Sequence, residues 1–495
     1  MAIQEQVVAE IARQVLARLA QANLQPQQPK PGPALVTSAS SSTSPQTSIA
    51  ARDGVFVTVD EAVNAAYEAQ KKVAAMSLAE RGRMVDIIRR ICMDRREELG
   101  RMEMEETKVG RLDHKVAKLT NMRFVPGVEA LHTDARSDTT GLCVIERAPW
   151  GVIGMMLPVT HSVPTMAANA IAILAAGNTA IFGPHPSGMR VAQYALQIFN
   201  REIERECGVA NVLTVVQNPS IEAAEQIFHH PRVALLCVTG GAAVAHAAAM
   251  SGKRVIAGGP GNPPVVVDET ADLDHAARCI IAGAAFDNNL LCIGEKEVFV
   301  VASVADAFIK AMRNAGAYEL NKAEIDRLTK AAFTFEEGKG GGCARAHVKK
   351  DFVGKDVAVL AAAAGVRVPQ GTELLFGEVD DENHPFVVEE QMMPFVPVMR
   401  VRCVDAAIAA SVKAEHGYGH TGIIHTSDAE RATRMPRAMN TTLFLHNAAS
   451  PAALGVDGPG YFSHTIATPT GEGITTALTF TRERQMVVGN ALRII

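Results

Sequence analysis

Short, uninterrupted apolar segments recur through the middle of the chain and constrain its fold more than any other feature. Four of them, separated by segments of helical length, are GVIGMML (151–157), TAIFG (179–183), NVLTVV (211–216) and VALLCV (233–238). Strands that are apolar on both faces belong to parallel sheets with helices packed on both sides. The pattern therefore predicts an α/β fold built on a parallel sheet.

A second series of apolar runs follows the first. Its members are the strand PVVVD (264–268), a helix through AARCIIAGAAF (276–286), and the strands KEVFVV (296–301), FVPVMRV (395–401) and TTLFL (441–445). We therefore expect two α/β domains. GLCVIER (141–147) and ALTFTRERQMVV (477–488) predict strands outside both series. Such strands form either a flap that pairs with another subunit or an ordinary edge hairpin.

The N-terminal 50 residues differ in character from the rest. Residues 1–20 place apolar side chains such as Val8, Ile11 and Val15 along one side of a helix, which predicts a short amphipathic helix. Residues 21–50 are rich in Pro, Gln and Ser and predict a flexible linker. The helix then either packs on its own body or another subunit, or docks on a different partner.

Composition narrows the class of protein. The chain has 495 residues, of which 48% are hydrophobic, and a formal net charge of -5, so no general attraction to nucleic acid or to an anionic membrane is expected. No apolar run reaches the roughly 18 residues of a membrane span, and charged residues interrupt residues 1–20. We therefore expect a cytosolic protein whose partners are small molecules and protein. Eight cysteines without a CxxC pair predict neither a disulfide framework nor a metal site.

Two loops at predicted strand ends are candidate ligand sites. Thr239, Gly240 and Gly241 follow VALLCV and open a predicted helix, whose free N–H groups favour an anion such as a pyrophosphate. The spacing is not the full GxGxxG pattern, and a purely steric role of these glycines stays open. The loop in GNTAIFGPHPSG (177–188) lies at the end of a strand, where α/β sheets bind ligands, but it is equally readable as a rigid connection.

Cys292 is the cysteine with a distinctive setting. It lies in FDNNLLCIGEKEVFV (286–300), between a predicted helix and a strand, after two asparagines and before the small Gly294. The other cysteines offer no comparable setting: Cys343 follows a glycine run in a loop, and Cys92 and Cys207 have no polar constellation nearby in sequence. The remaining four are predicted to be small core side chains, namely Cys143, Cys237, Cys279 and Cys403.

Five segments together carry a family resemblance. They are PWGVIGMMLPVTHSVPTMAANAIAILAAGNTAIFGPHPSG (149–188), VTGG (238–241), AGGPGNPPVVVDETADLD (257–274), NNLLCIGEK (288–296) and EEQMMPFVPV (389–398). In their order and separations they resemble the aldehyde dehydrogenase superfamily, more closely its coenzyme A-acylating branch of bacterial microcompartments, of the propionaldehyde dehydrogenase type. The resemblance implies an aldehyde dehydrogenase fold. Its parts are a Rossmann-like domain for NAD and coenzyme A (51–135 and 149–258), an α/β catalytic domain (259–470) and a β oligomerisation flap (136–148 and 471–495).

The resemblance also implies a reaction. It makes Cys292 the nucleophile that adds to an aldehyde carbonyl; hydride transfer to NAD then leaves an acyl thioester on the enzyme. The Cys292 backbone N–H is a candidate donor to the oxyanion. The resemblance assigns the cofactor to Thr239, Gly240 and Gly241 at the pyrophosphate, Pro184, His185 and Pro186 on the adenosine side, Gly259, and Glu390 at the nicotinamide-side ribose.

Two departures from the wider superfamily refine this expectation. Hydrolytic members carry a glutamate where this chain has Gly258, so we expect coenzyme A rather than water to accept the acyl group. Where the wider family has an oxyanion-binding asparagine, this chain has Thr160 and His161. His161 is the candidate catalytic residue, as an N–H donor or in deprotonating a thiol, unless it merely packs under the loop. Asn169 is a weaker candidate, within a predicted helix.

The N-terminus resembles the encapsulation peptides of microcompartment cargo enzymes. Residues 1–20 would then dock on a shell or cargo protein, inside a cytoplasmic microcompartment. The resemblance favours propionaldehyde as substrate, with acetaldehyde as the nearest rival, and a homodimer or homotetramer. A hydrolytic aldehyde dehydrogenase and an inactive scaffold protein are the competing functions; NAD against NADP stays open.

Overall fold

Helices and strands alternate along most of the computed structural model, which describes residues 52–336 and 345–492. The predicted helix at 1–20, the linker at 21–50 and Cys343 lie outside the described residues. The first elements are β1 (Val55–Phe56), α1 (Val59–Ala75), α2 (Leu78–Asp94), α3 (Arg96–Thr107), α4 (Leu112–Thr120), β2 (Asp134–Asp138), β3 (Gly141–Pro149), β4 (Val152–Leu157), α5 (Ser162–Ala175), β5 (Thr179–Pro184), α6 (Met189–Cys207), β6 (Leu213–Val216), α7 (Ile221–His229), β7 (Val233–Thr239), α8 (Ala242–Ala249) and β8 (Val255–Gly258).

The second part of the chain begins after β8. Its elements are β9 (Pro264–Val267), α9 (Leu273–Ala284), β10 (Glu297–Val301), α10 (Ala305–Asn314), β11 (Tyr318–Glu319), α11 (Lys322–Ala332), β12 (Phe333–Glu336), β13 (Arg345–Val348), α12 (Val357–Ala364), β14 (Leu375–Glu378), α13 (Pro385–Val388), β15 (Phe395–Val401), α14 (Val404–Ala414), β16 (Thr421–His425), α15 (Ala429–Met439), β17 (Leu443–His446), β18 (Ile466–Ala467), β19 (Gly473–Ile474) and β20 (Thr481–Gly489). Short 3-10 helices join several of them, including Phe286–Asn289.

A six-stranded parallel sheet contains the first predicted series. Its strand order is β1-β6-β5-β4-β7-β8, and Met155 of the central strand pairs with Phe182 of β5 and Cys237 of β7. All residues of β4 and of the neighbouring helix α5 are buried. Because a strand covered on both faces needs apolar side chains at every position, the uninterrupted run of β4 is explained. The predicted parallel sheet is confirmed.

A seven-stranded parallel sheet contains the second series, in the order β11-β14-β15-β10-β9-β16-β17. Val298 of β10 pairs with Val265 of β9 and Val398 of β15, at the centre of the sheet. The prediction of a small core side chain holds for the buried Cys237 and Cys279 and is wrong for Cys143 and Cys403, which are half-buried. Cys143 lies in β3, and Cys403 is the N-cap residue of α14, because β15 ends at Val401. Among the described helices, none combines the length and the apolar character that a membrane crossing requires.

A third sheet is antiparallel and separate, in the order β2-β3-β20. β3 and β20 pair along their whole lengths, from Gly141 with Gly489 to Pro149 with Thr481. Both strands were predicted to lie outside the two series. β20 begins four residues later than predicted, because Ala477–Phe480 forms a 3-10 turn. Every residue of β2 is exposed.

The first sheet determines where a ligand can bind. The loops that follow β4, β5, β7 and β8 all leave the carboxyl ends of parallel strands, so they meet at one edge of the sheet. His161 lies in the loop after β4 and Gly259 in the loop after β8. Pro184 and Thr239 are the last residues of β5 and β7, directly before their loops. The fold therefore collects residues from four separate sequence segments at one place.

Candidate active site

A cavity of about 740 Å³ opens at this edge of the sheet. It has the size of a cofactor or small-molecule site. Apart from the weaker candidate Asn169, the site residues predicted from the sequence all line it: Cys292, His161, Thr239, Gly240, Gly241, Pro184, His185, Pro186, Gly259 and Glu390. Asn169 does not line this cavity. Its amide Nδ2 instead donates to the Thr165 carbonyl at 2.9 Å and to the Thr465 Oγ1 at 2.8 Å.

The segment before Cys292 has an unusual backbone. Asp287, Asn288 and Asn289 have φ values of 50°, 56° and 63°, and all three are buried. Asp and Asn are the non-glycine residues that tolerate this left-handed region best, at a cost on the order of 1–3 kcal/mol each. Side-chain hydrogen bonds hold the turn, from Asn288 to the Gly354 carbonyl at 3.0 Å and from Asn289 to the Glu295 carbonyl at 2.9 Å. The asparagines noted in the sequence therefore shape the turn that presents Cys292.

Lys296 holds the same turn from the other side. Its buried ammonium donates to the main-chain carbonyls of Asn289 at 2.9 Å and Leu291 at 3.2 Å, and also to the Asn289 Oδ1. A buried lysine needs such acceptors, because an unpaired ammonium is costly away from water. Lys296 thus fixes the main-chain carbonyls of the turn that directly precedes Cys292.

Burial and nearby charges together act in both directions on the pKa of the Cys292 thiol. Its pKa is raised to about 12, first by burial and then by the nearby Glu390 carboxylate. The Lys296 ammonium and the backbone N–H groups of Cys292 and Ile293 act in the opposite direction. Burial raises the pKa of Glu390 to about 7, against the charge of Lys296 and a backbone hydrogen bond from Gly261. The thiol of the ligand-free protein is therefore protonated at neutral pH.

Replacing Glu390 by glutamine should lower the pKa of the Cys292 thiol by roughly one pH unit, because a negative charge next to a thiol disfavours the thiolate. The measurement is the rate of alkylation of Cys292 by iodoacetamide as a function of pH. Glu382→Gln makes the same change at an exposed position and serves as the control. An inflection at the same or higher pH in Glu390→Gln would contradict the assignment.

His161 is the N-cap residue of α5 and is buried at the cavity wall. Its Nδ1 lies 2.7 Å from the Lys118 ammonium, and its ring makes a second hydrogen bond to the Leu290 backbone. Burial, followed by the charge of Lys118, lowers the pKa of His161 well below the ordinary value. An ammonium has only donors, so Nδ1 is the acceptor and the other ring nitrogen carries the proton. His161 is a neutral imidazole with one N–H group.

Lys118 belongs to a buried charge network that the sequence analysis missed. It donates to Asp287, which lies in the turn before Cys292. Lys115 pairs with Glu103 at 3.0 Å and with Asp287 at 3.6 Å, and donates to the Thr160 carbonyl at 2.9 Å. The four charged side chains are at most 1% exposed. The network ties α3 and α4 to both Thr160 and the Cys292 turn.

The outer part of the cavity fits a nucleotide. Ile221 of α7 and Val244 of α8 line it with apolar surface, although both are exposed at its mouth. Gly240 and Gly241 precede α8, and a Cβ at either position would meet nothing within 4 Å, so the backbone is open to a ligand. The first N–H groups of a helix favour a phosphate. An apolar slot next to such a helix end suits the base and pyrophosphate of a dinucleotide or of coenzyme A.

Comparisons with known proteins agree with this geometry. Residues 40–323 match the Aldehyde dehydrogenase family. The acetaldehyde dehydrogenase (acetylating) EutE of Salmonella typhimurium is 43% identical over 444 residues, which cover 89% of this chain and 94% of that protein. Two solved structures of propionaldehyde dehydrogenases each have a TM-score of 0.85 and cover 90% of this chain and 100% of their own. One, from the fucose utilisation microcompartment of Clostridium phytofermentans, is 37% identical; the other, from Rhodopseudomonas palustris, contains bound CoA and an acylated cysteine and is 40% identical. The chain belongs to the aldehyde dehydrogenase family.

Proposed function

We propose that this protein oxidises short-chain aldehydes with NAD and coenzyme A, giving acyl-coenzyme A and NADH. The observation that carries the proposal is the position of Cys292, which lines the same cavity as the nucleotide-binding loops and Gly258. The acetylating relative and the propionaldehyde dehydrogenase with an acylated cysteine support this reaction. Propionaldehyde and acetaldehyde are both expected to react, because one methylene in an apolar pocket changes transition-state binding by only about 1–3 kcal/mol.

Cys292 is the proposed nucleophile. Its thiol loses a proton, and the sulfur adds to the aldehyde carbonyl to form a thiohemiacetal whose oxygen carries the negative charge. The carbon of this adduct loses a hydride, the C=O bond is restored, and an acyl thioester remains on Cys292. The thiolate of coenzyme A then adds to the thioester and expels the Cys292 sulfur, so that one thioester replaces another.

The oxyanion of the adduct needs hydrogen-bond donors. The N–H groups of Cys292 and Ile293 already act on the sulfur, which places them next to the reacting carbon. His161 is the second proposed donor: its single N–H bonds the backbone of Leu290, two residues before Cys292, and would exchange this partner for the oxyanion when the adduct forms. A role of His161 in removing a thiol proton fits less well, because Lys118 occupies Nδ1, the acceptor nitrogen of the ring, and the charges of Lys118 and Lys115 disfavour an imidazolium.

The cofactor assignments are part of the proposal. A bound nicotinamide dinucleotide supplies the hydride acceptor. We assign its binding to Thr239, Gly240 and Gly241, to Pro184, His185 and Pro186, and to Gly259 and Glu390. The Thr239 hydroxyl lies 2.8 Å from that of Thr465, so the backbone of this turn is the part left for a ligand. The corresponding domains are 51–135 with 149–258 for the nucleotides, 259–470 for catalysis, and 136–148 with 471–495 as the flap.

The choice of acyl acceptor follows from the absence of a second acid. Among the described residues that line the cavity, Glu390 is the only carboxylate. A hydrolytic enzyme needs a base that activates water next to the thioester. Gly258 provides no such base, and Glu390 is assigned to the nucleotide. Coenzyme A has its own nucleophile and does not depend on such a base at position 258.

The coenzyme A dependence of NADH formation tests the proposal. Purified protein with propionaldehyde and NAD should form NADH at a steady rate only when coenzyme A is present, and the product should be propionyl-coenzyme A. Desulfo-coenzyme A, which lacks the thiol, is the matched control and should not support turnover. A rate that ignores coenzyme A, or a free acid as product, would favour the hydrolytic enzyme; no NADH at all would favour an inactive scaffold.

Location and assembly form the remaining part of the proposal. The microcompartment relative supports placing the protein inside a cytoplasmic microcompartment, with residues 1–20 docking on a shell or cargo protein. We also propose a homodimer or homotetramer formed through the flap. In support, β20 is the edge strand of its sheet and exposes Met486 and Val487, whose side chains are 58% and 72% accessible. An exposed apolar edge strand favours pairing with another chain.

A further inference from the structure

Lys118 takes no part in the proposed steps, although its ammonium connects two parts of the site. It lies 2.7 Å from the Nδ1 of His161 and also donates to the carboxylate of Asp287. The other ring nitrogen of His161 bonds the backbone of Leu290. Asp287 and Leu290 both belong to the turn that leads to Cys292. These contacts therefore form a closed ring of hydrogen bonds that contains the ammonium, the imidazole and the turn.

The His161 ring is free for this arrangement because another side chain stabilises the start of α5. His161 is the N-cap residue of this helix, but its side chain makes no capping hydrogen bond. A free N–H of the first helical turn is commonly satisfied by the N-cap side chain. Here the Val163 N–H instead donates to the Glu103 Oε2 at 3.1 Å. The carboxylate of Glu103 thus caps the helix, and the imidazole is held by Lys118 and Leu290.

We propose that Lys118 is a positioning residue of the reaction: it holds the His161 ring in one tautomer and one orientation, so that the N–H proposed as oxyanion donor stays beside the Cys292 turn. This inference rests on the proposed function and deepens it. A neutral imidazole carries its proton on either nitrogen, and the hydrogen bond made by one nitrogen determines the state of the other. A donor at Nδ1 therefore excludes the tautomer that would leave no N–H toward the turn.

The charge of Lys118 suits this role. Burial lowers the pKa of Lys118 to about 8, against the attraction of Asp287, so the group is an ammonium at pH 7 and has only donors. The titratable groups around the His161 ring and its partners are Lys118, Lys115, His464, Asp287 and Glu103. Because both lysines disfavour an imidazolium, the His161 ring stays neutral and its tautomer matters.

Substitutions of Lys118 in two backgrounds test the inference, by steady-state kinetics with propionaldehyde, NAD and coenzyme A at pH 7. Lys118→Met has no donor and should lower kcat/KM by at least about tenfold, because the loss of one oxyanion donor costs on the order of 100- to 1000-fold. Lys118→Gln has an amide that can donate to Nδ1, and its loss should be at least about threefold smaller. In a His161→Leu background, Lys118→Met should change kcat/KM by less than about threefold, because the side chain that it positions is absent.

Lys115→Met is the matched control for Lys118→Met. Lys115 lies one turn earlier on α4, is equally buried and also pairs with Asp287, but its ammonium bonds Glu103 and the Thr160 carbonyl rather than the His161 ring. Its loss disturbs the same network, so its cost in kcat/KM should be equal in the wild-type and His161→Leu backgrounds.

Thermal unfolding shows whether each variant folds. If Lys118→Met does not fold, the comparison is made with Asp287→Asn added to every protein, which removes the carboxylate left without its partner. Asparagine tolerates the left-handed backbone of position 287, where φ is 50°.

Two results would overturn the inference. An equal cost of Lys118→Met in both backgrounds would show that Lys118 supports the fold of the site and does not act through His161. Equal losses in Lys118→Met and Lys118→Gln would show that the hydrogen bond to Nδ1 is not what matters. Failure of the proposed function is distinguishable, because the wild-type protein would then form NADH without depending on coenzyme A, or form none.

Discussion

Replacing Cys292 by serine should lower kcat/KM for aldehyde oxidation by at least about a thousandfold, with NADH binding unchanged. The exchange keeps the size of the side chain but replaces sulfur by a hydroxyl oxygen, which is a far weaker nucleophile at neutral pH. Losses of this size are typical when a nucleophile is removed and the rest of the site stays intact. The measurements are steady-state NADH formation and a fluorescence titration with NADH.

Cys403→Ser is the matched control for this change. Cys403 is half-buried at the N-terminus of α14, where serine is a favourable cap, so its exchange should leave turnover unchanged. If turnover of the Cys292→Ser variant stays within about tenfold of wild type, Cys292 is not the nucleophile. A loss of NADH binding in the same variant would mean that the site had been disrupted.

Replacing Gly258 by glutamate should introduce the hydrolytic reaction. Gly258 is the last residue of β8 and lines the cavity. A Cβ there would lie 3.5 Å from the Ile466 carbonyl and 3.6 Å from the Val238 carbonyl, which are ordinary contacts, so a side chain can be accommodated. A general base at this position can activate water and should raise the rate of free acid formation without coenzyme A by about a hundredfold.

Gly258→Gln has nearly the same size and no base, and is the control for Gly258→Glu. The amount of carboxylic acid per NADH, measured by mass spectrometry, separates the two variants. If the Gly258→Glu and Gly258→Gln variants release acid at the same rate, the missing base does not limit hydrolysis of the thioester, and the explanation for the coenzyme A dependence is wrong.

The sheets and the cavity were predictable because their signals are local. An apolar run such as GVIGMML reports burial on both faces directly, and parallel strands place the residues after their carboxyl ends at one edge. Glu390 was identified only through the resemblance of its motif. Cys292 was singled out by its sequence setting, but only the resemblance made it the nucleophile, since no property of a lone cysteine or glutamate indicates a cavity. Only the tertiary structure brings Cys292 and Glu390 together at one cavity.

The charge network below the site was not predictable in this way. In sequence, Lys115 and Lys118 look like one solvated face of a helix, and Glu103 looks like a surface residue of another. The two lysines can be buried because Asp287, about 170 positions later in the sequence, forms an ion pair with both of them in the folded chain. His464, which also lines the cavity, was missed for a related reason. Its segment has no regular periodicity, and the hydroxyl of its neighbour Thr465 forms hydrogen bonds with Thr239 and Asn169, more than 200 positions earlier in the chain.

The central claim is that one sulfur carries the oxidised carbon until another thiol removes it. The most direct test is the mass of the tryptic peptide containing Cys292 after the protein reacts with propionaldehyde and NAD without coenzyme A. We predict a propionyl adduct on Cys292 that persists in buffer and leaves as propionyl-coenzyme A when coenzyme A is added. NADH formation without this adduct, or release of the acyl group as free acid at the same rate with and without coenzyme A, would contradict the account.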